Sequence, residues 1–197
     1  ASGVYAFVVR PTPPAGRARR RALPFAPAPG TDSPMKRRRF LSFASLLAVA
    51  VATGGARAAE VGDRVEWRDL QLLDGTTLPA SRLAGRVVVV EFWASWCPFC
   101  KRQNPLVEAL HREHGGRGLE VLTFTIDKDL AKARAYLAEN GYTFRAAAAD
   151  AETLRRFDLR KGLPVLFVVD GTGRVIRRES GEMFEEDVRA LASHAVR

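Results

Sequence analysis

The chain's only two cysteines, Cys97 and Cys100, stand in Trp96-Cys97-Pro98-Phe99-Cys100-Lys101, directly after the apolar run Val87-Val88-Val89-Val90-Glu91-Phe92-Trp93. Two thiols at this spacing could form a structural bridge, half of a metal site, or a redox pair. A bridge that closes so short a loop recovers little unfolded-state entropy, because that gain grows with loop length. A structural zinc site needs four ligands, and the other candidates are His111, His114 and His194. If Pro98 starts a helix running to about Gly115, His111 and His114 lie roughly 16 to 21 Å along it from Cys100, at ~1.5 Å per residue. They cannot share a metal with the cysteines, and they read as solvated residues favoured by the negative end of the helix dipole. No metal site is expected. A cuprous ion held by the two thiolates alone remains an alternative of a different class. It lacks a third cysteine or a nearby methionine.

Redox exchange suits the local design. Pro98 at the first helical position needs no N–H partner and presets the helical φ, which puts Cys97 at the N-cap. Unpaired helix N–H groups and the dipole stabilise a thiolate there, so Cys97 is the expected nucleophile. Cys100, three residues on, shares that side of the helix and can attack a mixed disulfide formed at Cys97, which makes it the resolving thiol. This chemistry runs on the two sulfurs and calls for no cofactor.

The elements that must hold these sulfurs follow from periodicity. Val87 to Trp93 reads as a buried strand. Phe99, Gln103, Leu106, Val107 and Leu110 form a helical stripe interrupted by Pro105, which should kink it, and Gly115 and Gly116 end it. Val121 to Ile126 is the next strand. Asp129 caps a helix with Leu130, Ala133 and Leu137 inward and Gly141 as its terminator. A short strand near residues 143–145, a helix near residues 152–157 and an apolar strand over residues 163–169 follow. Gly171 to Gly173 make a hairpin turn, with residues 174–179 pairing back. The last helix places Phe184, Val188 and Leu191 inward, with Glu182, Glu185, Glu186 and Asp187 near its positive end. Alternating βα units and a terminal hairpin give an α/β fold: a central mixed sheet with helices on both faces.

Charge divides the chain. Residues 1–58 carry ten Lys or Arg against one acid, Asp32, which accounts for the whole net charge of +9. Residues 59–197 are formally neutral, so a nucleic-acid partner drawn by a broad basic field is excluded. Residues 1–34 are rich in Pro, Arg and Ala without helical or strand period, and are expected to be an upstream, disordered extension outside the fold. From Met35, Lys36 to Arg39 make a positive n-region, Phe40 to Thr53 an apolar h-region, and Ala56-Arg57-Ala58 an A-x-A site. That order describes a secretory signal over residues 35–58, cleaved before Ala59. Arg37, Arg38, Phe40 and Leu41 also fit a twin-arginine pattern. The 14-residue apolar stretch is shorter than the roughly 20 needed to span a bilayer, so no stable membrane insertion is expected after cleavage, with an uncleaved anchor as the alternative. Residues 59–197 make one domain outside the cytoplasm, where disulfides are permitted.

Phe92-Trp93-Ala94-Ser95-Trp96-Cys97-Pro98-Phe99-Cys100-Lys101 resembles the active-site segment of thioredoxin-fold proteins, specifically the exported TlpA, ResA and CcmG group of disulfide reductases. Leu70 to Gly75 with Leu78, Leu83 and Gly85 is similar to the hairpin and turn that this group places before its first core strand. Gly162-Leu163-Pro164-Val165 to Asp170, with Gly173-Arg174-Val175, resembles its cis-proline loop and final hairpin. The resemblance runs from about Val61 to His194. It implies a thioredoxin-like fold with an N-terminal β-hairpin extension and a periplasmic protein-disulfide oxidoreductase, a reductase by group or an oxidase of the same fold. It also implies client proteins with disulfides and an electron donor at the membrane as partners. Pro164 would be a cis proline facing the cysteines, with the Leu163 backbone pairing a client chain as an added strand. Trp96, Pro98 and Phe99 would complete the client-binding surface.

Glu91 interrupts the apolar strand that feeds the cysteines. A carboxylate buried on both faces of a sheet is costly when ionised, so burial should raise its pKa into the range where it exchanges protons. It occupies the position of the buried acid of thioredoxins, which implies a general base for the Cys100 proton. The alternative is an acid reaching solvent at the sheet rim.

Overall fold

The computed structural model describes residues 7–10, 59–157, 159 and 162–196. The expected signal over residues 35–58 lies outside these residues. Among the described residues no helix is long and apolar enough to cross a membrane.

The strand formed by Val87–Trp93 (β5) is the middle of a five-stranded sheet, and all seven of its residues are buried. A continuous β-branched run suits a central strand whose two faces are both covered. Leu119–Thr125 (β6) lies parallel to β5, and Arg145–Ala148 (β7) parallel to β6. Val165–Val169 (β8) lies antiparallel on the other side of β5 and is followed by Val175–Ser180 (β9), so the spatial order is β7-β6-β5-β8-β9. The sheet is mixed, as the alternation of elements implies. Two short hairpin strands, Leu70–Gln71 (β3) and Thr77–Leu78 (β4), pair antiparallel ahead of it.

Strand alternation divides the core in two. Val88, Val90 and Phe92 pack on one face with Leu70, Leu78, Leu122, Phe124, Phe157 and Phe167. Phe92 stacks on Phe124 at 5.4 Å and meets Phe157 at 4.8 Å. Val87, Val89 and Trp93 face the other way, against Cys97, Cys100, Val107, Leu110, Val188 and Leu191. The helix Pro98–His114 (α1) supplies Cys100, Val107 and Leu110, with Cys97 as its N-cap, and Val188 comes from Glu185–Ala190 (α4). Leu130–Glu139 (α2), capped by Asp129 through the Ala131 N–H, adds Ala133 to this face. Phe157, the C-cap of Ala151–Arg156 (α3), belongs to the first face.

Four expectations are corrected. Phe7–Arg10 (β1), in the segment read as lying outside the fold, pairs antiparallel with Arg64–Trp67 (β2). Its aromatic and β-branched residues suit a strand, and β2 offers an edge to pair with. The expected helix around Pro105 is present as one element, Pro98–His114. Pro105 lacks the N–H that would meet the Lys101 carbonyl, but both residues are exposed, so water can take that role. Phe99, placed inward by its spacing, is 51% exposed, and the buried face of α1 starts at Cys100 instead. Phe184, also placed inward, is 77% exposed, because it is the extended N-cap of α4 and so out of helical phase, and Met183 takes the buried place. The seventh strand also starts two residues later than its pattern suggested.

Candidate active site

The α1 N-terminus meets the C-terminal end of β5 at the cysteines. Cys97 is the N-cap, with extended backbone at φ −82° and ψ 117°, and Pro98 opens the helix. The Cys100 N–H donates to Cys97 Sγ at 3.3 Å, so a helix-terminal donor is aimed at this sulfur. The Cys97 thiol in turn donates to the Leu163 carbonyl at 3.7 Å. Both cysteines are unbridged. Exposure barely distinguishes them: Cys97 is 4% exposed and Cys100 fully covered. What separates them is that Cys97 lines a groove of ≈ 680 Å³ with Trp96, Pro98, Phe99, Leu163 and Glu182, whereas Cys100 lies below it. Burial, with Cys97 adding to it, pushes the Cys100 thiol up. A second hollow, lined by Leu73, Arg134, Tyr142 and Phe144, contains none of the expected site residues.

Trp96 is 64% exposed at the groove, while Trp93 is buried and donates its indole N–H to Thr123 Oγ1 at 2.9 Å. The Leu163–Pro164 peptide is cis. Gly162, just before it, has φ +97°, in the region that favours glycine. The turn therefore delivers the Leu163 carbonyl to Cys97, and β8 begins at the next residue after Pro164. Arg102 forms a bidentate pair with Glu182, at 2.8 and 2.6 Å, and lies over the Phe99 ring at 4.8 Å. These contacts fasten the groove rim, and solvent keeps their net value small.

Glu91 is fully buried, so the solvent-rim alternative does not hold. As an odd-numbered strand residue it points to the same side as Val89 and Trp93, beneath α1. Gln103 Nε2 donates to Glu91 Oε1 at 2.8 Å, whereas Glu91 Oε2 has no hydrogen-bond partner among the described residues. Burial raises the Glu91 pKa to about 8, and the Gln103 bond works in the opposite direction. Its charge also contributes to raising Cys100. Cys97, Cys100, Glu91, Leu163 and Pro164 are thus brought to one end of the sheet, with Trp96, Pro98 and Phe99 at the groove.

His111 and His114 sit at the far end of α1. His111 is half-buried instead of solvated, and burial lowers its pKa, which outweighs the favourable helix terminus. Two residues of the site were not singled out by sequence. Gln103 was read as part of an apolar stripe, where its polarity was the available signal. Asp127 accepts from the Ser95 N–H at 2.9 Å, Ser95 Oγ at 2.8 Å and Thr125 Oγ1 at 2.5 Å, and so fixes the turn leading into Cys97. Ser95 and Asp127 are too far apart in sequence for a local pattern to join them.

A central strand leading into a helix N-capped by the first cysteine of a CxxC, opposite a cis X-Pro turn, defines a thioredoxin-fold thiol-disulfide oxidoreductase. The family model described as Redoxin matches residues 58–193, and the chain belongs to that family. It is 32% identical over 134 residues to the thiol:disulfide interchange protein DsbE homolog of Paracoccus denitrificans, covering 68% of this chain and 69% of that protein. Against the thiol:disulfide interchange protein HelX of Rhodobacter capsulatus it is 32% identical over 103 residues, covering 52% of this chain and 56% of HelX. The chain thus spans little more than half the length of HelX. A crystal structure of a thioredoxin-family thiol:disulfide interchange protein from Chlorobium tepidum shares the fold, with a TM-score of 0.63 and 22% identity over 72% of this chain and 100% of that one.

Proposed function

We propose that this chain is an exported reductase of client-protein disulfides, itself re-reduced by a dithiol donor at the membrane. The observation that carries this reading is the stacking of three groups: Cys97 on the groove, Cys100 covered beneath it, and Glu91 buried behind with one oxygen unpartnered. A client segment would lie in the groove against Trp96, Pro98, Phe99 and Pro164, its backbone pairing with Leu163. The Cys97 thiolate attacks one client sulfur, the client disulfide breaks, and the departing thiolate takes a proton from solvent. Cys100 then gives its proton to Glu91 Oε2, directly or through water, and attacks Cys97 Sγ. A Cys97–Cys100 disulfide forms, the second client sulfur leaves, and two electrons have passed to the client.

Export is supported by the order of n-region, h-region and A-x-A from Met35 to Ala58. Mass spectrometry of the periplasmic protein should find Ala59 as the first residue. An intact signal would point to a membrane anchor.

The direction of transfer is tested by the reduction potential of the mature protein. A value near the about −270 mV of thioredoxin supports a reductase, and one near the about −120 mV of a strong oxidant supports a disulfide-forming oxidase.

A further inference from the structure

We propose that Gln103 is a positioning residue that ties the groove wall to the proton acceptor: Met183 orients its amide, and the amide holds one Glu91 oxygen and leaves the other for the Cys100 proton. This rests on the reading of Glu91 as that acceptor.

The chemistry of the amide fixes the arrangement. Gln103 Oε1 accepts from the Met183 N–H at 2.8 Å, and a backbone N–H can only donate. The amide NH2 must therefore face the other way, where Glu91 Oε1 accepts from it at 2.8 Å. A side chain without both a donor and an acceptor end cannot serve both partners. Gln103 is fully buried in a stripe otherwise suited to apolar residues, and desolvating its amide is unfavourable unless both ends are bonded.

The Met183 side of this link belongs to the groove. Gly181 and Glu182 line it, and the Gly181 N–H donates to the Pro164 carbonyl at 2.8 Å. Arg102, the residue before Gln103 on α1, holds Glu182. The wall of the groove is thus joined to α1 twice, once at its surface through Arg102 and once in its interior through Gln103.

At Glu91, β6 presents Thr123 and β8 presents Leu166 in register, neither of them charged. Among the described residues, the titratable groups acting on the site are Cys100, with Cys97 beyond it, Tyr136 of α2, and Tyr142 from the segment after α2. Among the described residues no cation neutralises the carboxylate, so the Gln103 donor is the group that favours its ionised form.

The test uses single-turnover reaction of the reduced protein with 5,5′-dithiobis(2-nitrobenzoate). Release of the first thionitrobenzoate reports Cys97 attack, and release of the second reports attack by Cys100. Wild type should show a rise of the second rate with pH that Glu91→Gln loses. Gln103→Met should move that inflection up by about one pH unit and slow the second release about tenfold at neutral pH, leaving the first little changed. Gln103→Asn, too short to reach both partners, should move it the same way, and decides the matter if the Met variant does not fold. In a Glu91→Gln background Gln103→Met should move nothing further. An inflection that Glu91→Gln removes but neither Gln103 variant moves overturns the proposal alone. One that survives Glu91→Gln overturns the proton-acceptor reading and the proposal with it.

Discussion

The Cys97 thiol donates to the Leu163 carbonyl across 3.7 Å, joining the start of α1 to the turn that enters β8. The contact needs the thiol proton. Once Cys97 ionises, the Leu163 oxygen loses its donor and is open to a backbone N–H of an extended client chain, while the Cys100 N–H continues to face the sulfur. Forming the nucleophile and exposing the pairing edge are therefore two consequences of one deprotonation.

Brief iodoacetamide treatment of the reduced protein at neutral pH should label Cys97 and spare Cys100. Cys97 lines the groove and its sulfur accepts the Cys100 N–H at the start of α1, whereas Cys100 is covered and its thiol is pushed up by burial. Peptide mass spectrometry that found equal labelling would count against this assignment of roles.

Cys100→Ser should accumulate disulfide-linked adducts with client proteins, because nothing remains to attack the mixed disulfide at Cys97. Cys97→Ser should accumulate none. The check is a non-reducing gel of cell extracts, and adducts that form through Cys100 instead would invert the mechanism.

Asp127→Ala removes the acceptor for both Ser95 groups and for Thr125 Oγ1. Losing charge-assisted bonds near the core should cost about 2 kcal/mol in urea unfolding. The turn into Cys97 loses its anchor as well, so alkylation of Cys97 should change rate in the same variant. Asp127→Asn, which keeps an acceptor, should lose less of both.

Elements whose own residues carry a period are legible in the sequence. The valine run of β5, the Pro98 start of α1 and the Asp129 cap of α2 each lie where local pattern put them. Phe99 and Phe184 continue an apolar stripe, but Phe184 is the extended N-cap of α4 and so out of helical phase, and Phe99, on the first turn of α1, lines the groove instead of the core. The site was legible to the extent that it is contiguous: Cys97 and Cys100 declare themselves, and Glu91 does so by being charged in an apolar strand. Gln103 and Asp127 were hidden because their partners come from α4's approach and from the preceding loop. Only the packing of α1 against the sheet brings them together.

Glu91→Gln should stabilise the protein at neutral pH while slowing the attack of Cys100. In the fold the Glu91 pKa is raised to about 8 by burial, above the ordinary carboxylate value of the unfolded chain. Below the unfolded value both states hold the proton and the group has no effect on stability. Between the two values the unfolded chain releases its proton and the folded one keeps it, so wild-type stability falls as pH rises, and the loss levels off above about pH 8. Gln103 offsets part of this by its bond to Oε1, but Oε2 has no partner to offset the rest. Gln at position 91 keeps the shape and cannot ionise, so its unfolding free energy should be flatter with pH. It should exceed that of wild type by about 1 to 3 kcal/mol at pH 7 and match it near pH 4. Denaturant unfolding at a series of pH values measures this directly. Parallel pH curves for the two proteins would mean that the carboxylate titrates in the fold as it does in the unfolded chain, and Glu91 could not then hold the Cys100 proton at neutral pH.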